Sequence, residues 1–136
     1  MKSFQVYILA ADRAFYEGPC ESIIVPTLQG QYGILPNHSN MISAVVPGII
    51  KYKLPGQPEK FAAVSAGLVK AENNEVLVLA ESIESPEEID ENRARRAADE
   101  AKEEMLQKRS IREYRSAQAH LARAINRLKV KNTYGR

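Results

Sequence analysis

Among the 136 residues there is one cysteine, Cys20, and no tryptophan. A lone cysteine excludes an internal disulfide framework and any cysteine-rich zinc site. The only histidines are His38 and His120, too little material for a histidine metal centre, and no metal is expected. No apolar run approaches the roughly 20 residues of a membrane span. The apolar stretch in residues 1–13 is too short and too quickly charged for a signal peptide. The chain reads as an intracellular soluble protein with no transmembrane segment. Residues 87–134 contain neither glycine nor proline: all seven prolines lie at or before Pro86, and six of the seven glycines precede it. Seven of the nine aromatic residues also fall in the front part, whereas 87–134 carries eight alanines. The front is therefore expected to be strands and turns and the back helix. A chain of this length buries roughly two-thirds of its unfolded surface, so neither disulfides nor a structural metal is needed.

The net charge of +2 conceals a gradient. Residues 1–85 hold six basic and eight acidic side chains, a balance of −2. Residues 86–104 hold four basic and eight acidic, a balance of −4. Residues 105–136 hold nine basic against Glu113 alone, a balance of +8. Blocks of opposite sign along one chain meet each other or a charged partner.

In the front part, 1–85, Phe4, Val6 and Ile8 alternate with Gln5 and Tyr7, the period of a half-buried strand. Short apolar runs follow at 22–25, 41–46, 49–54, 61–64 and 76–80. Turn signals separate them at Glu17-Gly18-Pro19, Pro47-Gly48, Leu54-Pro55-Gly56 and Asn73-Asn74. This spacing predicts an all-β sandwich or flattened barrel. In the segment from Gly30 to His38, two glycines three apart allow a bend, and Ile34-Leu35-Pro36 is expected to anchor a projecting loop. His38 has no carboxylate or second histidine near it in sequence and reads as a loop residue making a structural hydrogen bond. Cys20 reads as a small buried hydrophobe.

In the back part, 86–136, Ser85-Pro86-Glu87-Glu88 is a helix start: Ser85 as the cap, Pro86 in the first helical position, Glu88 completing a capping box. Ser110-Ile111-Arg112-Glu113 is a second box, so a break is expected near 107–110 and a second helix to about Lys131. Apolar spacing gives the first helix a face of Ala94, Ala97, Ala101 and Met105, and the second a face of Ile111, Tyr114, Leu121, Ile125 and Leu128. An alanine face lets a neighbouring helix approach closely, which makes an antiparallel two-helix hairpin natural. The whole chain is thus α+β in class. The turn holds no helix breaker, so an extended rod of about 70 Å from Pro86 to Asn132 is equally permitted. Pairing of the −4 helix with the +8 helix favours the hairpin, although exposed pairs contribute little individually.

The order of motifs resembles the epsilon subunit family of the rotary F-type ATP synthase, bacterial and chloroplast type. The resemblance is carried by Phe15-Tyr16-Glu17, by the segment from Gly30 to His38, by 64–68, by 76–81, by 88–94 and by Arg123-Ala124-Ile125-Asn126-Arg127-Leu128. It runs in order along nearly the whole chain. It implies a non-catalytic subunit of the central stalk, whose β-domain contacts the gamma subunit and the ring of c subunits. That subunit couples ring rotation, driven by protons, to ATP synthesis. The loop with Gln31, Tyr32 and His38 would face the ring. The helices would be able to extend and inhibit ATP hydrolysis, a basic face of Arg109, Arg112, Arg115, Arg123 and Arg127 meeting an acidic segment of the beta subunit.

No cofactor is required on this reading, but ATP enters as a regulatory ligand. Ile89-Asp90-Glu91-Asn92-Arg93-Ala94 fits the motif through which some bacterial members bind ATP on the folded hairpin. By that similarity Asp90 and Arg93 would contact the nucleotide and Ala94 would leave room for the base. Glu84, Arg123 and Arg127 occupy the other matching positions. Arg123 and Arg127, four apart, share a helix face, where a triphosphate would neutralise them. Three departures stand out: Glu100 where ATP-binding relatives often carry arginine, Gln31 where some carry glutamate, and Ser39-Asn40-Met41 with Ala66-Gly67-Leu68 as variations in packing. The resemblance also implies a peripheral place on the cytoplasmic face of the bacterial membrane, held there by the complex.

Two rival readings are weaker. A small β-barrel hydrolase built on His38 lacks a nucleophile and base. A β-domain with a basic helical arm that binds nucleic acid lacks aromatic interleaving in the arm, and the acidic first helix opposes it.

Overall fold

The structure is a computed structural model and describes residues 2–107 and 110–134. The chain divides into two compact units, Met1–Ser85 and Pro86–Arg136.

The first unit contains β1 (Phe4–Ala10), β2 (Ala14–Cys20), β3 (Ser22–Thr27), β4 (Gly30–Ile34), β5 (Met41–Val45), β6 (Gly48–Lys53), β7 (Lys60–Val64), β8 (Gly67–Glu72), β9 (Glu75–Ala80) and β10 (Ile83–Glu84). Hydrogen bonding links them in the order β10-β7-β6-β3-β5-β8-β9-β1-β2, with β4 paired to β3. All pairs are antiparallel except β1 with β9. Strand β3 joins the two halves of this path: Ser22–Ile24 pair with β6, while Thr27 at its far end pairs with Val45 of β5. The sheet so folds over itself into the nearly closed sandwich that the short alternating strands predict.

Alternation fills the interior. Phe4, Val6 and Ile8 of β1, Ile23 and Val25 of β3, Ile50 and Tyr52 of β6, and Val76 and Val78 of β9 are all buried in one cluster. Each such aliphatic side chain contributes about 1.5–3 kcal/mol by leaving water. Cys20 belongs to this cluster, its thiol donating to the carbonyls of Ser22 and Lys53 at 3.0 and 3.3 Å. Two close fits set the register of the second half. Asn73 and Asn74 at φ 53° and 59° form the tight turn between β8 and β9. A Cβ on Gly67 would lie 1.8 Å from the carbonyl oxygen of Leu79, so no side chain fits there.

The expected turn at Glu17-Gly18-Pro19 is instead part of β2, whose register runs on through Gly18 and Pro19 against Val6 and Gln5. Strand β2 ends the strand order and pairs only with β1, so the N–H that proline lacks is not demanded. The front of the expected projecting loop is also strand: Gly30–Ile34 is β4, and irregular backbone begins only at Leu35.

Among the described residues the second unit holds one 3-10 turn, Pro86–Glu88, and two helices, α1 (Glu91–Gln107) and α2 (Ile111–Tyr134), packed against each other. The start of the first helix differs from expectation. Ser85-Pro86 opens only the 3-10 turn; Asp90 is the cap of α1, its Oδ1 accepting the Arg93 backbone N–H at 3.1 Å. Ser110 caps α2 as expected, its Oγ accepting the Glu113 N–H at 3.1 Å. The buried faces are mostly alanine: Ala94, Ala98 and Ala101 on α1, and Ala117 and Ala124 with Val130 on α2. The expected face of α1 holds in Ala94 and Ala101, with Met105 partly buried, whereas that of α2 is rotated. Ala98 is buried and Ala97 only partly, while Ile111 and Ile125 are 74 % and 49 % exposed. Small residues on both helices allow closer approach than an isoleucine seam would.

Candidate functional site

The open end of the hairpin is tied by Lys131, whose Nζ donates to the carbonyl oxygen of Pro86 at 3.1 Å. The other end lies between the end of α1 at Gln107 and the start of α2 at Ile111. In an antiparallel pair with these two ends, Asp90 stands about level with Arg127, and Arg93 and Ala94 with Arg123. Helical phase, 100° per residue, also places Asp90, Arg93 and Glu100 to one side of the buried alanine face of α1. Arg123 and Arg127 lie on the matching side of α2. Four of the candidate nucleotide contacts, with Ala94 beneath them, therefore gather on one flank of the hairpin. Ala94 is buried in the helix pair, and Arg123 and Arg127 are half-buried. Asp90 has spent one carboxylate oxygen on the cap and keeps the other. The guanidinium of Arg123 donates to His120 Nδ1 at 2.6 Å, one helical turn away.

Glu84 lies elsewhere in the chain's organisation: it is on β10, paired with Ala63 of β7, within the β unit. Of the candidate basic face, Arg112 and Arg115 are exposed on α2. Phase puts Arg112 on the side of Arg123 and Arg127 and Arg115 on the next side round. Arg109 lies outside the described residues.

In the β unit, Gln31 and Tyr32 stand on β4 and His38 in the segment after it. Tyr32 Oη lies 3.1 Å from His38 Nε2, and His38 Nδ1 lies 2.7 Å from the carbonyl oxygen of Ser39. Both contacts are satisfied by a neutral ring with its proton on Nδ1 and Tyr32 donating to Nε2, the structural role expected of this histidine. One positioning residue escaped the sequence reading. Asn74 Oδ1 accepts the Asn37 N–H at 2.7 Å while its Nδ2 donates to the Ser3 carbonyl at 3.0 Å. The turn between β8 and β9 thus clasps the His38 segment to the start of β1. The signal for it was the Asn73-Asn74 pair, read only as a turn. Leu28 and Leu35, on either side of β4, are 78 % and 64 % exposed. A shallow groove of about 510 Å³ runs along Leu9, Ala10, Leu68, Leu79 and Glu81. Among the described residues no group of three His, Cys, Asp or Glu side chains is placed to hold a metal ion, and no helix is long and apolar enough to cross a membrane.

The model of the ATP synthase delta/epsilon chain β-sandwich domain matches residues 3–86, and that of the delta/epsilon long α-helix domain matches 87–132. The chain belongs to the ATP synthase delta/epsilon family. The ATP synthase epsilon chain of Caldanaerobacter subterraneus subsp. tengcongensis is 40 % identical over 134 residues, covering 98 % of this chain and 96 % of that one. The epsilon chain of Shouchella clausii is 36 % identical over 130 residues, covering 96 % of each. The fold is shared with a chain of the Euglena gracilis mitochondrial ATP synthase at a TM-score of 0.77 and 19 % identity, over 90 % of this chain and 77 % of that one. It is shared also with a chain of the Tetrahymena thermophila central stalk and c ring at a TM-score of 0.63 and 10 % identity, over 93 % and 95 %. As a member of the delta/epsilon family the chain is an epsilon-type subunit and not itself a catalyst. Nothing in the fold favours the nucleic-acid reading, since the basic α2 packs on the acidic α1.

Proposed function

We propose that this chain is the epsilon subunit of the central stalk of a proton-translocating F-type ATP synthase. The β-domain, 1–85, binds the gamma subunit and the c ring, and the helical part, 86–136, regulates ATP hydrolysis. The subunit is peripheral, on the cytoplasmic face of the bacterial membrane, held there by its partners. The observation that carries this reading is the match of both parts, in order, to the family. The exposed Leu28 and Leu35 beside β4, and the apolar groove at Leu68 and Leu79, are surfaces suited to partner subunits. Gln31, Tyr32 and His38 belong to the ring-facing part.

ATP is the regulatory ligand of the folded hairpin. Arg93, Arg123 and Arg127 supply three cations for a polyphosphate, Asp90 hydrogen-bonds the nucleoside, and Ala94 leaves space for the base. With no nucleotide bound, the arm extends, and the basic residues Arg109, Arg112, Arg115, Arg123 and Arg127 dock on an acidic segment of the beta subunit. The flank shared by Arg93, Arg123 and Arg127 supports this reading, because like charges brought together there are relieved by an anion.

ATP titration of the chain by calorimetry tests it, beside Arg93→Ala and Asp90→Asn. Asparagine caps a helix as well as aspartate, so the second variant removes charge without unfolding α1. Saturable binding to the parent chain, weakened in both variants, is the expected result. Absence of binding at millimolar ATP overturns the nucleotide site and leaves the stalk assignment in place.

A further inference from the structure

The backbone from Leu35 to Asn40, between β4 and β5, belongs to no strand, yet it carries His38. The ring of His38 meets the Ser39 carbonyl at 2.7 Å and Tyr32 Oη, on the strand just before, at 3.1 Å. Both contacts are local in the chain. They fix the ring within its own stretch and leave open where that stretch stands on the sheet. Asn37 has a φ of 63°, a left-handed conformation that costs free energy and persists where neighbours hold it. Its N–H donates to Asn74 Oδ1 at 2.7 Å, across 37 positions of chain. Leu35 and His38 also line one narrow crevice with Phe4, Asn74 and Glu75.

Asn74 is itself anchored on three sides. It sits at φ 59° in the tight turn whose flanks, Glu72 and Glu75, pair across β8 and β9. Its carbonyl oxygen accepts the Gln5 N–H at 3.2 Å, and its Nδ2 donates to the Ser3 carbonyl at 3.0 Å. Glycine, asparagine and aspartate are the residues that readily tolerate such a φ. Of these, asparagine alone presents both an acceptor and a donor on one short side chain. Glycine drops both bonds, and aspartate sets a carboxylate oxygen against the Ser3 carbonyl.

From this arrangement we infer, on the ring-facing reading of Gln31, Tyr32 and His38 above, that Asn74 pre-orders the His38 segment for docking on the c ring. The sheet passes its rigidity through the Asn74 amide to Asn37, and so to the neighbouring His38. A segment ordered beforehand loses less freedom on docking, and the difference appears as affinity. Asn74 acts through Asn37 and has no need to touch the ring, which makes it a positioning residue.

The test is add-back of the full chain to ATP synthase membranes that lack it, reading the concentration that half-restores ATP-driven proton pumping. Asn74→Gly keeps the left-handed turn and removes the clasp. It should raise that concentration by roughly three- to tenfold, the scale of one or two hydrogen bonds. Asn74→Asp, which keeps the acceptor for Asn37, should fall between glycine and the parent. Asn73→Gly alters the same turn but leaves the clasp, and should behave as the parent does. Equal losses in Asn73→Gly and Asn74→Gly would mean that the turn matters only for stability, and would overturn the positioning role. Parent-like restoration by Asn74→Gly, beside a loss in His38→Ala, overturns that role and leaves the ring-facing reading standing. No loss in His38→Ala overturns the ring-facing reading, and this inference with it.

Discussion

Lys131 and Pro86 are 45 positions apart, yet the Lys131 ammonium donates to the Pro86 carbonyl at 3.1 Å and closes the open end of the helical pair. The Pro86 ring cannot continue a hydrogen-bonded helix upstream, so its carbonyl lies in a single 3-10 turn, where a side chain from α2 can reach it. Lys131→Met keeps the apolar stem and removes the donor. Hydrogen exchange in the last turn of α2 should then quicken by roughly tenfold, matching the ~1.5 kcal/mol of one charge-assisted bond. Unchanged exchange would mean that alanine packing alone holds this end.

Gly67 carries a sharper demand. Its missing Cβ would lie 1.8 Å from the Leu79 carbonyl oxygen and 2.7 Å from Ala80 Cα, both of them backbone atoms that have little freedom to yield. Gly67→Ala should destabilise the β unit by at least the ~1–3 kcal/mol usual for overpacking. Gly33→Ala, where a Cβ meets nothing within 4 Å, is the control. Urea midpoints of the two variants should separate clearly. Equal midpoints would show that β8 and β9 shift apart at little cost.

Burial pushes the Cys20 thiol up from its ordinary value. The fold thus favours the protonated form, and the native state binds more protons than the unfolded one above a pH of about 8.5. This stabilisation is fully present below the unfolded value and is lost as pH rises through the folded one. Unfolding midpoints between pH 7 and pH 10 should fall more steeply for the parent chain than for Cys20→Ala. Tyr7 and Tyr16, also shifted upward chiefly by desolvation, add an alkaline loss common to both chains. Parallel slopes would remove Cys20 from the account.

The strands that the sequence reveals are those with clean alternation, such as Phe4, Val6 and Ile8, because a half-buried strand leaves that mark directly. Strand β2 is hidden by Gly18 and Pro19, residues that an end strand tolerates and a central one does not. The start of the first helix is misplaced from sequence because the Ser85-Pro86 box opens only a 3-10 turn, while the Asp90 carboxylate takes the backbone N–H of Arg93. The phase of α2 is misread from isoleucines because a close helix pair buries alanine and turns Ile111 and Ile125 outward. Asp90, Arg93, Arg123 and Arg127 stand out through a family resemblance, and the fold adds what spacing cannot: a common flank. His120 escapes because a lone histidine on a helix carries no pattern of its own. Only its spacing to Arg123 hints at the contact.

Glu100 lies two turns beyond Arg93 on the same flank of α1 and is exposed. A carboxylate there repels a bound triphosphate and lowers the charge that Arg93, Arg123 and Arg127 present to it. Glu100→Arg should therefore tighten ATP binding on the order of three- to tenfold, the scale of an exposed charge reversal. Glu100→Gln should fall between the two. The gain should shrink as ionic strength rises, since exposed charges are screened over about 10 Å at 0.1 M salt. Glu104 is one turn further along and exposed, so Glu104→Gln should give a smaller gain than Glu100→Gln. An affinity indifferent to residue 100 at low salt would place the nucleotide off this flank of the hairpin. It would also leave the arginines to the acidic partner alone.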